Sequence, residues 1–513
     1  MILVHDFLTA SANRHSEKPA IIAEAKVHTF GQIHQESNRL ACALQRQGLV
    51  RGDRVALLME NSAASVVSVF GILKAGGVFV SLNPTTKTAK LTRLLNDCGA
   101  RVLIVQGSLS QVARPAAADA PSLRTVIWIE APRQTPGHSL ASERAFEEIV
   151  GESPSGPAHG GAIDEDVCAI IYTSGSTGAP KGVMLTHHNV TNTAWAISTY
   201  LENTPDDVVI CTLPLSFGYG LFQVITGMRV GFTVVLERSF AYPYRSLQRM
   251  AEHGVTGLPG VPTTFATLLP MDAFSHRNIP SLRYLTNAGA AIPPAHLRRL
   301  REAFPQARIF SMYGLTECTR VCYLDPARLD DKITSVGKAM PNTEAYIVDE
   351  QGRRGGPGVV GELVVRGANV MRGYWGLPDE TRRRLRDGEV PGEKVLYTGD
   401  LFRMDEEGFL YFVGRKDEIF KCKGEKISPR EIEDVLHELD AVAEAAVIGV
   451  DDPIDGMAVK AFVVPRYGAA LTEQQVRQHC RVHLESYMVP KFVEIRSSLP
   501  KTDSGKVLKT ALS

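Results

Sequence analysis

Between Arg54 and Val80 the chain spells out a strand, a helix and a second strand with almost nothing between them. Arg54 to Met59 is a short apolar run, Ser62 to Ala75 carries Val66, Val69, Phe70 and Leu73 at helical spacing, and Gly76-Gly77 breaks into Val78-Phe79-Val80. Such a βαβ unit is the building block of a layered α/β body. Further units are expected at Arg101 to Val105 and from Val208-Val209-Ile210-Cys211 through Val234-Val235-Leu236. At 513 residues the chain is too long for one core and calls for several subdomains.

Gly151 to Gly161, rich in Gly, Pro and Ser, reads as a linker between subdomains of that body. Beyond Ser335 the character changes to short strands separated by Gly-rich turns, at Ala345 to Val348, Gly361 to Val365 and Gly408 to Val413, which suggests a small β-rich subdomain. From about Asp417 a separate α/β unit begins. It has a helix from Pro429 to Leu436, a strand from Ala445 to Val450 and a helix from Thr472 to His483.

Composition excludes several classes. Apolar residues make up 44% and charged residues 22%, as in a globular protein, and the 56 basic residues equal the 56 acidic ones, leaving no electrostatic footprint for nucleic acid. The longest apolar stretch, Ala63 to Val80, contains Ser65, Ser68, Lys74 and two glycines, so no membrane span is expected. Charges at Asp6, Arg14, Glu17 and Lys18 argue against a signal peptide in the first 23 residues. Eight cysteines without a C-x-x-C pair fit a reducing, cytoplasmic setting.

The chemistry is concentrated in Tyr172-Thr173-Ser174-Gly175-Ser176-Thr177-Gly178-Ala179-Pro180-Lys181-Gly182. Hydroxyls interleave with glycines that admit close backbone approach to an anion, and Lys181 adds positive charge. The apolar run Cys168 to Ile171 before it and a helical pattern from about Asn189 to Tyr200 after it read as strand, phosphate loop, helix. A Walker A loop is excluded, because Lys181 lies between Pro180 and Gly182 rather than before Ser or Thr.

Four more segments accompany it: Tyr313-Gly314-Leu315-Thr316-Glu317, Tyr397-Thr398-Gly399-Asp400, the run from Gly414-Arg415-Lys416-Asp417 to Ile432, and Pro500-Lys501-Thr502-Asp503-Ser504-Gly505-Lys506. In this order they resemble the signature elements of the adenylate-forming superfamily, which includes acyl-CoA synthetases, adenylation domains and beetle luciferases. The resemblance covers the whole chain. It implies an α/β fold with a large multi-subdomain N-terminal domain of layered α/β sheets and a small β-rich subdomain, residues 1–414, and a small mobile α+β C-terminal domain, residues 415–513, hinged near Asp417.

It also implies an enzyme that joins a small-molecule carboxylic acid to ATP, releasing pyrophosphate, and then passes the acyl group to a thiol of CoA or of a carrier protein's phosphopantetheine arm. The nucleotide set so implied is Thr173, Ser174, Gly175, Ser176, Thr177, Gly178, Lys181, Gly289, Tyr313, Asp400 and Arg415. Catalytic positions are Lys506, Thr316, Glu317 and Lys421, with Glu317 the ligand of Mg²⁺ and Gly424 on the face presented to the thiol acceptor. The acyl pocket is expected at Phe217, Gly218, Tyr219, Gly260, Ala290 and Cys318. Gly218 stands where amino-acid-activating domains place an aspartate, which argues against an α-amino acid. A largely apolar pocket favours a fatty or aryl acid. Arg320 suits a structural ion pair, contact with a second polar group on the substrate being the alternative, and Arg382-Arg383-Arg384 suits a surface helix. A monomer or homodimer is expected, and a non-catalytic nucleotide-binding regulator would have lost Lys506, Glu317 or Lys181.

Overall fold

The computed structural model describes residues 2–131, 141–156, 158, 160–174, 180–422, 425–452, 456–466, 468–502 and 507–512. Two large sheets build the N-terminal body. An eight-stranded sheet carries the expected βαβ unit, with Arg54–Leu58 and Val78–Leu82 parallel neighbours and Val102–Gln106 on the other side of Arg54–Leu58. A nine-stranded sheet places Val208–Cys211 between Thr233–Leu236 and Gly257–Gly260, followed by Tyr284–Asn287 and Arg308–Tyr313, all parallel.

Alternation along the strands decides which layer each face meets. Val55, Leu57, Phe79, Val209 and Cys211 join one continuous core with the helices Val4–Arg14, Phe30–Arg46, Ala63–Lys74, His187–Tyr200 and Gly218–Val230, which lie between the sheets. Ala56, Leu58, Val78 and Val80 face outward to Thr88–Cys98 and Ser110–Ala118. Ile210, Val235 and Leu258 face outward to Pro243–Glu252 and Pro294–Ala303.

Two expectations need correction. Cys168 to Tyr200 is not strand, loop, helix: Val167–Ser174 turns back on an antiparallel strand, Pro180–Thr186, before the helix begins at His187. Residues 175–179 of that loop lie outside the described residues. The Gly151 to Gly161 segment is not a free linker either. It begins inside the helix Phe146–Glu152, Ser155 accepts a hydrogen bond from Asn38, and Gly160 packs so closely on Gly76 that a β-carbon there would lie 2.3 Å from the Gly76 nitrogen.

The β-rich subdomain is a five-stranded antiparallel sheet of Thr343–Val348, Val360–Gly367, Lys394–Met404, Leu385–Asp387 and Leu410–Arg415. After Arg415 the pairing changes partners. Phe420–Cys422 and Glu425–Ile427 form a hairpin, and Val442–Asp452, Gly456–Pro465 and Phe492–Ile495 form a three-stranded sheet, packed with the helices Pro429–His437 and Glu473–His483 around one small core. No helix among the described residues is long and apolar enough to cross a membrane. None of the eight cysteines forms a disulfide, and seven of them are buried.

The interhelical core holds neutral histidines. His187 Nδ1 accepts the backbone N–H of Val4 at 3.1 Å, its ring meets that of His5 edge-on, and Asp164 and Asp166 lie nearby. Burial, reinforced by His5, drives the His187 pKa down to about 3, and burial takes His5 and His34 down to about 4. Each is depressed below the unfolded value of 6.5, so the unfolded chain binds more protons between those limits, and stability present above pH 6.5 is lost as pH falls toward 4. Each such histidine adds a slope of up to about 1.4 kcal/mol per pH unit. Thermal unfolding from pH 7.5 to 5 is expected to show this decline, and His187→Gln, which keeps an acceptor for Val4 without a titratable ring, should flatten it. An unchanged slope in that variant would assign the acid sensitivity elsewhere.

Candidate active site

Five segments distant in sequence meet at one edge of the N-terminal body. The strand Arg308–Tyr313 ends in a tight turn that is closed sterically: a β-carbon on Gly314 would lie 2.4 Å from the Thr319 carbonyl oxygen, and Thr319 itself has φ +58°. A left-handed non-glycine residue of this kind is uncommon and gathers at functional sites. The turn is pinned from outside by Met371 N–H to the Glu317 carbonyl at 2.8 Å and by Asn369 Nδ2 to the Arg320 carbonyl at 2.7 Å. Thr316 and Glu317 ride on it half-buried, while Cys318 beneath them is fully buried.

Asp400 is aimed by a bulge. Opposite Glu362 and Val364, the partner strand pairs through Leu401 and Tyr397, so Thr398, Gly399 and Asp400 are accommodated by a register shift. Thr398 Oγ1 donates to the Leu363 carbonyl and Gly399 N–H to Glu362 Oε1, while Gly399 takes φ +76°, a left-handed conformation that favours glycine. The Asp400 carboxylate then receives the Tyr313 hydroxyl at 2.6 Å and faces Arg415 Nε at 3.9 Å. Burial and the adjoining Asp400 hold the Tyr313 proton on, well above the usual phenol range. The Tyr313 ring packs edge-on against Phe402, 4.8 Å between centroids.

Arg415 closes the group. Burial works against its charge, but Asp417, Asp400, Glu418 and Glu317 outweigh it and raise the pKa. Asp417 sits in the turn that leaves the five-stranded sheet, 3.2 Å from the Arg415 guanidinium.

Two partners gave no sequence signal. Tyr374 donates its hydroxyl to Glu317 Oε1 at 2.7 Å, fixing the carboxylate. Glu380, on the short helix Pro378–Arg384, holds Lys181 Nζ at 2.7 Å, and that ammonium also lies 5.6 Å from the Tyr374 ring centre. Lys181, Tyr374 and Glu317 thus form a continuous chain from the loop hairpin to the Glu317 turn. Thr173, across the hairpin from Lys181, donates to its carbonyl.

Other expected residues scatter. Lys421 is exposed on the C-terminal hairpin, and its side chain makes no hydrogen bond or ion pair among the described residues. Gly175, Ser176, Thr177, Gly178, Gly424 and Lys506 lie outside the described residues, as does the side chain of Ser174. Gly289, at φ +91°, and Ala290 are exposed in the loop after Tyr284–Asn287. Phe217 caps the helix Gly218–Val230, Gly218 borders open space with nothing within 4 Å of where a β-carbon would stand, and Tyr219 bonds Thr286 through its hydroxyl at 2.7 Å. At Gly260 a β-carbon would strike Phe265 at 2.7 Å, so its smallness serves internal packing. Arg382 and Arg383 are exposed and paired within their own helix, as a surface helix requires. The ion pair expected of Arg320 does not form among the described residues: the side chain is buried and its Nε has no hydrogen-bond partner.

The arrangement brings together hydroxyls, carboxylates and two cations, groups able to meet an anion and a hard cation. Comparison with known proteins agrees. The model of the AMP-binding enzyme family matches residues 8–375, and that of the AMP-binding enzyme C-terminal domain matches residues 431–506. A long-chain-fatty-acid–CoA ligase of Bacillus subtilis is 33% identical, covering 99% of this chain and 94% of the relative, and a feruloyl-CoA synthase of an Amycolatopsis species is 34% identical over 94% and 92%. Among solved structures, an anthranilate CoA ligase with bound anthranoyl-AMP superposes with TM-score 0.89 at 28% identity over 99% of this chain and 95% of that one. A benzoate CoA ligase from Burkholderia xenovorans LB400 gives 0.88 at 26% identity, with both chains fully covered. With both family domain models matched and a 33% identical relative covering 99% of its length, the chain belongs to the AMP-binding enzyme family.

Proposed function

We propose that this enzyme activates a fatty or aryl carboxylic acid in two steps. A carboxylate oxygen of the acid attacks the α-phosphorus of ATP, the bond to the bridging oxygen breaks and pyrophosphate departs; the thiolate of CoA then attacks the acyl carbon and expels AMP. The observation that carries this reading is the convergence of Lys181, Glu317, Tyr374, Asp400 and Arg415. Both reactants are anions, and such a site must supply fixed positive charge and preorganised donors.

In this reading Lys181 leaves Glu380 to hold the departing phosphates, and the ribose hydroxyls lie at Asp400, whose neighbours Tyr313 and Arg415 fix its two oxygens. Glu317 fits Mg²⁺: it is a half-buried carboxylate, a hard oxygen donor, oriented by the Tyr374 hydroxyl. Bound there, the ion would neutralise charge on the phosphates. We place the domain boundary at 414/415, with Asp417 as the hinge, in the turn where strand pairing changes sheets. Eight cysteines without a disulfide support a cytoplasmic, reducing setting.

The test is carboxylate-dependent exchange of pyrophosphate into ATP, run across fatty, aryl and amino acids. Exchange with a fatty or aryl acid and none with amino acids is expected. Protein that binds ATP yet exchanges with no acid would be a nucleotide-binding regulator instead. Mass spectrometry of products formed with CoA and with a phosphopantetheinylated carrier protein separates the two acceptors.

A further inference from the structure

We infer that Arg320 recognises a second oxygen-bearing group on the acid, at the end away from the reacting carboxylate, a reading that rests on the function proposed above. Arg320 is 3% exposed. Among the described residues no carboxylate pairs with it and its Nε donates to nothing; its guanidinium carbon lies 5.0 Å from the centre of the Tyr219 ring. An arginine does not escape burial by losing its proton, and a desolvated cation left unpaired is among the costlier arrangements a fold can hold. A ring face attracts the charge but offers its N–H donors no oxygen acceptor.

The group is also held in place. Its backbone carbonyl is fixed by Asn369, two residues past the buried Cys318, so the side chain extends from the turn that carries Glu317 toward the start of the helix Gly218–Val230. At that helix start, beside Tyr219, Gly218 borders open space. The Tyr219 hydroxyl is committed to Thr286, so it does not compete for the incoming group. An unpaired, planar, five-donor cation next to unfilled space matches an oxygen acceptor in the substrate, either a second carboxylate or a hydroxyl or carbonyl. An unadorned alkyl chain would leave Arg320 as it stands here, which sets this pocket apart from one built for a plain fatty acid.

The experiment compares acids of similar size in the exchange assay on the full chain: adipate against hexanoate, and 4-hydroxybenzoate against 4-methylbenzoate. The oxygen-bearing member of at least one pair should be preferred by about 100-fold or more in kcat/KM, since sites built to bond a substrate oxygen reject analogues lacking it by up to ~10⁵-fold. Preference within the first pair identifies a carboxylate, within the second a hydroxyl. In Arg320→Met that ratio should collapse toward one with the KM for ATP unchanged, and the melting temperature without substrate should rise, because an unpaired buried charge has been removed. Exchange without preference in either pair overturns the inference and leaves the adenylation reading intact. So does an Arg320→Met protein that melts lower and loses activity equally with all acids, since Arg320 would then be structural. Wild-type protein that exchanges with no acid removes both.

Discussion

Glu317→Gln should lower acid-dependent pyrophosphate exchange by about 10²–10³-fold, the scale on which one preorganised electrostatic group contributes to catalysis. The substitution keeps an oxygen for the Tyr374 hydroxyl, now 2.7 Å from Glu317 Oε1, and so leaves the turn's geometry in place while deleting the charge. Tyr374→Phe makes the complementary change. It leaves the charge and removes the hydrogen bond that orients it, worth about 1.5–3 kcal/mol to a charged group, or roughly 10- to 100-fold. The two should also differ in Mg²⁺ dependence: Glu317→Gln should need far more of the ion to reach its lowered maximum, whereas Tyr374→Phe should shift the midpoint little. Exchange in Glu317→Gln within a few-fold of wild type, at limiting Mg²⁺, would remove Glu317 from the reaction and leave its carboxylate a partner for Tyr374 alone.

The division between what the sequence disclosed and what it hid follows the range of the interactions. Strands such as Arg54–Leu58 and helices such as Ala63–Lys74 are specified by local periodicity against a buried sheet, and the structure places them as expected. The strand Pro180–Thr186 was hidden because it opens with Pro-Lys-Gly, which reads as loop; its pairing comes from Val167–Ser174 and Gly373–Tyr374 on either side. Asp400 was visible as a Gly-Asp turn, but its aim comes from a bulge against Val360–Gly367 that no local rule foretells. Tyr374 and Glu380 stand 57 and 199 residues from the groups they hold, with nothing in their own neighbourhoods to mark them. For Arg320 the ordinary expectation for a buried arginine, an ion pair, failed: among the described residues no carboxylate pairs with it, and its guanidinium lies over the Tyr219 ring. Tertiary placement, not composition, decides each of these.

Lys506→Ala should separate the two half-reactions. The family resemblance implies that its ammonium would bridge the acid's carboxylate and the α-phosphate while both carry negative charge, so its removal should act on the transition state of adenylation and not on attack by a thiol at an acyl carbon already activated. Exchange should fall by about 10³-fold, the loss expected when a group serving only one transition state is removed. Thioester formation from supplied acyl-adenylate and CoA should stay within a few-fold of wild type. Lys421 supplies the converse. It is exposed on the hairpin of Phe420–Cys422 and Glu425–Ile427 and touches none of Lys181, Glu317 or Asp400 in the arrangement described. If the C-terminal domain turns about Asp417 to bring that hairpin to the site for the second step, Lys421→Ala should leave exchange intact and slow thioester formation. Crossed defects of this kind are the result expected of two domain orientations, each presenting one lysine to the site. Equal loss of both half-reactions in both variants would mean a single arrangement serves the whole cycle, and the assignment of Asp417 as a hinge would fall with it.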